Sequence, residues 1–230
     1  MIELLESYPF IKIDENQKNQ LVSYMELTLK ANESFNLTAN DTKESFMIKN
    51  IIDSLLIVKN LDLDGKNILD LGSGAGLPGI PLAIYYKNTN FTLLEPLTKR
   101  ANFLKEIAQK LGLKNVNVVN DRAEIFIKNA RESFDFVTSR AVSRLNILLE
   151  LSIPFLKVGG KLIAYKGINY QEEINESKNA LDLLSSKIIA IEEENLVQIN
   201  EKRYNIFIQK NQKTSQKYPR EYRLIKKKAL

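Results

Sequence analysis

The sequence predicts an α/β protein with a mainly parallel sheet covered by helices on both faces, and three observations carry that prediction. From residue 65 onward, short apolar runs alternate with longer amphipathic stretches, the pattern of strands joined by right-handed crossover helices. A glycine-rich turn, Gly72-Ser73-Gly74-Ala75-Gly76, follows the first of those runs, where a strand must hand over to a helix. The last two apolar runs, Lys187–Ile191 and Tyr204–Ile208, are separated by about a dozen residues without helical periodicity. That is enough for an antiparallel pair, placed at the sheet edge, and too little for a crossover helix.

The elements follow in order. Asp14-Glu15-Asn16-Gln17 has capping-box spacing, and Leu21, Val22, Met25 and Leu29 recur at helical intervals after it. A second box, Asp41-Thr42-Lys43-Glu44, precedes Phe46, Met47, Ile51, Ile52, Leu55 and Val58. Two such helices cannot bury their apolar faces alone, so residues 1–60 form a helical extension packed on the core. Candidate strands are Ile68–Leu71, Phe91–Glu95, Val116–Val119, Phe134–Thr138 and Lys161–Tyr165, which with the antiparallel pair make seven. Helices are predicted near 78–87, 97–111, 122–130, 144–153 and 170–185. The α/β domain thus covers 61–210, and a basic tail covers 211–230.

Composition excludes several chemistries. The chain has 230 residues with no cysteine and no histidine. There is no disulfide framework, no thiolate nucleophile and no imidazole base, and a zinc site would need carboxylates alone. No apolar run reaches the roughly 18 residues of a membrane span. The start, Met1-Ile2-Glu3-Leu4-Leu5-Glu6, carries acids where a secretory signal carries basic residues. These features read as a soluble protein of a reducing, cytoplasmic compartment. The net charge is +5, but residues 210–230 alone hold eight Lys or Arg and one Glu, a local +7. The rest is close to neutral, so the tail reads as an electrostatic arm for a polyanion. Within it, Lys217-Tyr218-Pro219-Arg220 allows the other reading, a segment docked on the body.

The densest signal is Asp70-Leu71-Gly72-Ser73-Gly74-Ala75-Gly76-Leu77-Pro78-Gly79-Ile80-Pro81. A strand ends in an acid, glycines turn the chain, and prolines stand where a helix begins. A P-loop fails, because no Gly-Lys-Ser/Thr follows. A dinucleotide fingerprint fits only out of phase, since Leu77 occupies the third glycine position counted from Gly72 and Gly74. An adenosyl-methionine loop, acid-x-Gly-x-Gly-x-Gly at the end of the first strand, is met in full. A ligand-free tight turn is the plain alternative. Glu95 closes the second strand, where a carboxylate can accept both ribose hydroxyls of either nucleoside cofactor. Asn120-Asp121-Arg122-Ala123-Glu124 and Ser139-Arg140 fall at the same sheet edge.

With these motifs stand Asn36-Leu37-Thr38, Asp53-Ser54-Leu55, Thr92-Leu93-Leu94-Glu95 with Lys99-Arg100, Ser139-Arg140-Ala141, Lys166-Gly167 and Lys217-Tyr218-Pro219-Arg220. In this ordered set the chain resembles the bacterial small-subunit ribosomal RNA guanine-N7 methyltransferases, the RsmG or glucose-inhibited division protein B (GidB) family. The resemblance runs from about residue 30 to the tail. It implies a class I, Rossmann-like methyltransferase fold with S-adenosyl-L-methionine as cofactor. It also implies 16S ribosomal RNA in the small subunit as partner, with no metal and no membrane, and we expect a monomer. Carried over residue by residue, binding positions at the methionine and ribose end fall on Gly72 and Leu77. Those near the adenine fall on Ala123 and Glu124, and the site arginine falls on Arg140. Glu95 is added from its strand-end position and Gly74 from the glycine pattern, and no catalytic residue is assigned. Arg144 reads as a surface residue or phosphate contact. Asn50 stands where the family usually has histidine, and Glu95 where it usually has aspartate.

The implied chemistry suits this composition. Guanine N7 carries an in-plane lone pair and no proton, so its methylation needs no general base. Pyrimidine C5 methylation ordinarily uses a cysteine, and exocyclic adenine methylation an Asn/Asp-Pro-Pro-aromatic motif, and the chain has neither. An NAD-dependent oxidoreductase is disfavoured by Leu77 and by the lack of a proton donor. A non-enzymatic nucleotide-binding module held on RNA by its tail is the other alternative.

Overall fold

The computed structural model describes residues 2–230. Helix α1 (Glu15–Asn32) starts at the expected capping box: Asp14 Oδ1 accepts from the Gln17 amide at 2.8 Å, and Gln17 Oε1 accepts from the Asp14 amide at 2.9 Å. Gln17 also donates to the carbonyls of Ile84 and Tyr85, fixing α1 to the body. The second cap lies one residue later than the spacing suggested. Thr42, not Asp41, accepts from the Ser45 amide at 3.1 Å, and the Ser45 hydroxyl donates to Asn40 Oδ1 at 3.0 Å.

From there residues 43–59 run as one helical stretch in four geometries: α2 (Lys43–Phe46), a π-helical segment (Met47–Ile52), α3 (Asp53–Leu55) and a 3₁₀ turn (Leu56–Lys59). Phe46, Met47, Ile48, Ile51, Ile52 and Leu55 are all buried. That set is too wide for one face of a regular helix. The wider π turn rotates the following side chains, and such segments recur at functional sites.

The sheet has seven strands: β1 (Asn67–Leu71), β2 (Asn90–Leu94), β3 (Val116–Val119), β4 (Phe134–Arg140), β5 (Leu156–Lys166), β6 (Ser186–Leu196) and β7 (Glu201–Lys210), in spatial order β3-β2-β1-β4-β5-β7-β6. Strands β1 to β5 are parallel, and β7 runs antiparallel to both β5 and β6. The antiparallel pairing is as expected, but only β6 forms the edge. The reason is burial on both faces: Ile206, Phe207 and Ile208 of β7 are all inside, as an interior strand requires. Strand β6 instead carries Glu192, Glu193 and Glu194 and exposed Ile189 and Ile191.

Strand alternation divides the core into two layers. Ile68, Phe91, Phe136, Ile163 and Phe207 pack with α1, the 43–59 stretch, α4 (Gly79–Tyr85) and α5 (Thr98–Lys110). Leu69, Val137, Leu162, Ile206 and Ile208 face the opposite layer of α6 (Ala123–Ala130), α7 (Leu145–Ser152), α8 (Tyr170–Glu176) and α9 (Lys178–Leu183). The single helix expected over 170–185 is broken at Ser177, whose hydroxyl donates to the Glu173 carbonyl at 2.6 Å and so competes for a helical acceptor.

The C-terminal segment is not a free arm. Tyr218 and Ile225 are buried, the latter in α10 (Tyr222–Lys227). Arg220 donates from its amide, Nε and Nη2 to Glu150 at 2.9, 2.8 and 2.6 Å. Arg223, Lys226, Lys227 and Lys228 remain exposed, so the segment is both docked and basic. No helix among the described residues is long and apolar enough to cross a membrane.

Candidate functional site

Strand order reverses between β1 and β4, and the crevice beyond the carboxyl ends of those strands is where an open α/β sheet takes its ligand. The loop after β1 is built by a buried acid. Asp70 Oδ2 accepts from the Gly79 amide at 3.2 Å and Oδ1 from the Thr138 hydroxyl at 3.0 Å, which ties the start of α4 and β4 to β1. Burial pushes its carboxyl up to about 6, against the pull of these hydrogen bonds. Glycine is required at several positions here, Gly72 and Gly79 among them. Gly72 has φ +71°, and a Cβ there would lie 2.5 Å from Val142. A Cβ at Gly79 would lie 2.4 Å from Leu93 and 2.7 Å from Asp70, so the close approach of α4 to the strands depends on its absence.

Glu95 plays a part the sequence did not show. Its Oε2 accepts from the Gly74 amide at 2.9 Å and its Oε1 from the Leu97 amide at 3.0 Å. At 3% exposure it braces the glycine loop from behind and lines neither cavity of the crevice. Gly74, with its amide spent on Glu95, and Leu77, packed in the core, likewise belong to the loop's frame.

Two cavities open at the crevice. One, of about 340 Å³, is mainly apolar and lined by Leu71, Gly72, Leu94, Pro96, Leu97, Ala123, Glu124, Leu151 and Tyr222 among others. The other, of about 590 Å³, is lined by charged and polar side chains, among them Lys49, Asp53, Arg140, Arg144, Lys166, Arg203 and Asn205, together with Tyr165 and apolar residues. Val142 lines both. It follows Ala141, which turns the chain out of β4 at φ +58°, a conformation costly for a residue with a Cβ. Of the residues singled out in the sequence, Gly72, Asp121, Arg122, Ala123 and Glu124 meet in the apolar cavity, while Arg140 stands in the other.

The Arg140 guanidinium is held on three sides by the 43–59 helical stretch, from its π-helical segment and the start of α3. Nη1 donates to the Lys49 carbonyl at 2.8 Å and to Asp53 Oδ2 at 2.9 Å, and Nη2 donates to Asn50 Oδ1 at 2.8 Å. Asp53, 5% exposed, also faces Arg203 Nε at 3.4 Å. Burial pushes the Asp53 carboxyl up, and the two arginines pull it back. Asn50 further accepts from Asn40 and donates to Thr38 at 3.2 Å in each case. It therefore links Arg140 to the Asn36-Leu37-Thr38 loop through hydrogen bonds that need no titrating proton. The Tyr165 hydroxyl donates to the Ser54 carbonyl at 2.9 Å. Asn205, buried on β7, has neither amide atom hydrogen-bonded within the protein. Arg144 is half-exposed and paired with Glu172 and Glu176 on the surface. Arg203, Asn205, Tyr165 and Tyr222 gave no local sequence signal, since each reaches the site only through sheet order or chain return.

The fold is shared with proteins of known structure. The chain is similar to M. jannaschii TYW2 in complex with AdoMet (17% identity, TM-score 0.54, 76% of this chain and 77% of that one). It is also similar to a SAM dependent methyltransferase from Aquifex aeolicus (19% identity, TM-score 0.56, 72% and 93%). At such identities the likeness shows the fold, the class I Rossmann-like methyltransferase fold. Sequence goes further. The GidB model, rRNA small subunit methyltransferase G, matches residues 17–205. "Ribosomal RNA small subunit methyltransferase G" of Alkaliphilus metalliredigens is 42% identical over 211 residues, covering 90% of this chain and 88% of that protein. The protein of the same name from Fusobacterium nucleatum is 41% identical over 220 residues, covering 96% and 94%. The chain belongs to the GidB family of small-subunit rRNA methyltransferases.

Proposed function

We propose that this protein transfers a methyl group from S-adenosyl-methionine to N7 of a guanine in 16S ribosomal RNA, acting in the cytoplasm on the small subunit or its RNA. The observation that carries the reading is the pair of cavities joined at Val142: an apolar one beside a glycine loop, and a polar one walled by arginines. The residues fit the cofactor. Val142 seats against Gly72 at the cavity wall, where a Cβ would meet it at 2.5 Å, Ala123 and Glu124 begin α6 beside the cavity, and Leu97 and Leu151 supply apolar surface. When bound, the cofactor supplies an electrophilic methyl group on sulfur.

The chain's own residues would bind and orient. Gly72 offers backbone to the ligand, while Gly74, Leu77 and Glu95 hold the loop in shape. Arg140 and Arg203, fixed by Asp53, set the floor of the polar cleft for the RNA base. With its terminal nitrogens already spent on Lys49, Asn50 and Asp53, Arg140 acts by positioning and not by activating the acceptor. No side chain is asked to take a proton, because N7 has none. Holding nucleophile, methyl and leaving group in line supplies up to about 7–11 kcal/mol in the best cases.

The test is methyl transfer from labelled cofactor to small subunits, followed by mapping of the modified base. A single N7-methylguanine in the RNA is expected, and label on a pyrimidine or an exocyclic nitrogen refutes the reading. S-adenosyl-homocysteine at 100 times its Kd should stabilise the fold by about 2.7 kcal/mol, and NADH should not.

A further inference from the structure

We propose that Tyr222, in the C-terminal segment, is the aromatic wall of the adenosine end of the cofactor site, so that residues 211–230 are part of that site; the inference rests on the S-adenosyl-methionine reading above. Tyr222 lies beyond residue 205, where the family model ends, yet it lines the apolar cavity with Leu97, Ala123 and Leu151. Its placement is built and not incidental. Arg220, two residues earlier, is clamped to Glu150 of α7, the neighbour of cavity residue Leu151. Ile225, three residues later and on the same helical side, is fully buried. The Tyr218 carbonyl accepts from Arg131, which follows α6, the helix whose first residues line the cavity. Anchors on both sides therefore hold the ring, partly exposed, at the cavity wall, while Arg223, Lys226, Lys227 and Lys228 stay exposed.

The chemistry of the cavity selects the occupant's end. A purine presents flat apolar faces and stacks on aromatic rings whatever its base identity. The amino-acid end of the cofactor is charged and needs polar partners, which Leu97, Leu151 and the Tyr222 ring do not offer; the charged side chains of this cavity, Asp121, Arg122 and Glu124, belong to the corner at the start of α6. An adenosine placed between the Ala123–Glu124 corner and Tyr222 would satisfy both requirements. It follows that loss of the tail weakens cofactor binding as well as RNA binding, contrary to a freely waving basic arm.

The chain has no tryptophan, so Tyr222→Trp introduces a single indole at the cavity wall. Its emission should change saturably on titration with S-adenosyl-homocysteine and with adenosine, at the midpoints that calorimetry gives. Tyr222→Ala should weaken both ligands by the same factor, about tenfold or more, in a variant that stays folded and loses only the packing Tyr222 gives the core, and Tyr222→Phe should bind like wild type. If wild type binds S-adenosyl-homocysteine but the Tyr222→Ala affinity is unchanged, or the indole stays silent, this inference is overturned and the cofactor reading stands. If folded wild type binds no S-adenosyl-homocysteine, both fall. Should Tyr222→Ala not fold, the Tyr222→Trp titration alone decides.

Discussion

Arg220→Ala should release the C-terminal segment and, with it, one wall of the crevice. Glu150 is 0% exposed, and its carboxylate accepts three hydrogen bonds, all from Arg220. Removing the guanidinium takes away the two charge-assisted bonds and leaves a buried carboxylate with a backbone amide as its remaining partner. Breaking a buried pair in this way costs about 3–5 kcal/mol. In a chain of this length each kcal/mol lowers Tm by about 2–4 °C, so the full penalty would lower Tm by about 6–20 °C. The alternative for the variant is to let residues 211–230 detach and water reach Glu150, which caps the global loss and exposes the segment. Differential scanning calorimetry and limited proteolysis read the two routes: either Tm falls by several degrees, or cleavage after the tail lysines accelerates while Tm falls less. Arg220→Lys keeps the charge but not the fork and should lie between. A variant with wild-type Tm and wild-type protease resistance would refute the strap, and with it the reading of Glu150 as its anchor.

Three further outcomes are expected. Gly74→Val should fold and lose cofactor affinity by calorimetry. Gly74 sits at φ +58°, and its absent Cβ would meet only the Gly72 carbonyl oxygen, at 3.9 Å, so the cost is left-handed strain of about 1–2 kcal/mol in the loop and not a clash; wild-type affinity in the folded variant would remove the loop from the site. Arg140→Ala should lower methylation at least about tenfold, or 1.4 kcal/mol. It should also lower Tm, because buried Asp53 would keep only Arg203; normal turnover with only a lowered Tm would leave Arg140 a purely structural role. Asp70, whose pKa is raised from 3.8 to about 6, binds a proton in the native state before the unfolded state does. Its contribution to stability is therefore full below pH 4 and lost as pH rises through 6, about 3 kcal/mol in all. Asp70→Asn should flatten that part of a pH series of denaturant melts, and a slope unchanged between pH 4 and 6 would mean Asp70 titrates normally.

Periodicity and turn chemistry are local, and what depends on them was legible in the sequence. The seven strands, the capping box at Asp14, the glycine loop after β1 and the family itself could be read from residues and their order. Boundaries slipped at Thr42, which takes the cap one residue after Asp41, and at Ser177, whose hydroxyl takes a helical acceptor. What only tertiary structure decided is who meets whom across the sheet. Insertion of β7 between β5 and β6 brings Arg203 and Asn205 to the cleft. The π-helical turn aims Asn50 and Asp53 at Arg140, and the brace on Gly74 turns Glu95 away from solvent. The tail shows the reason most plainly. Its charge is a sum over residues and is visible in composition, but its docking depends on Glu150, seventy residues earlier, whose burial is set by packing on α7. A carboxylate in a helix looks the same in sequence whether it faces water or the core, and only the folded chain supplies the desolvation that makes Arg220 its partner.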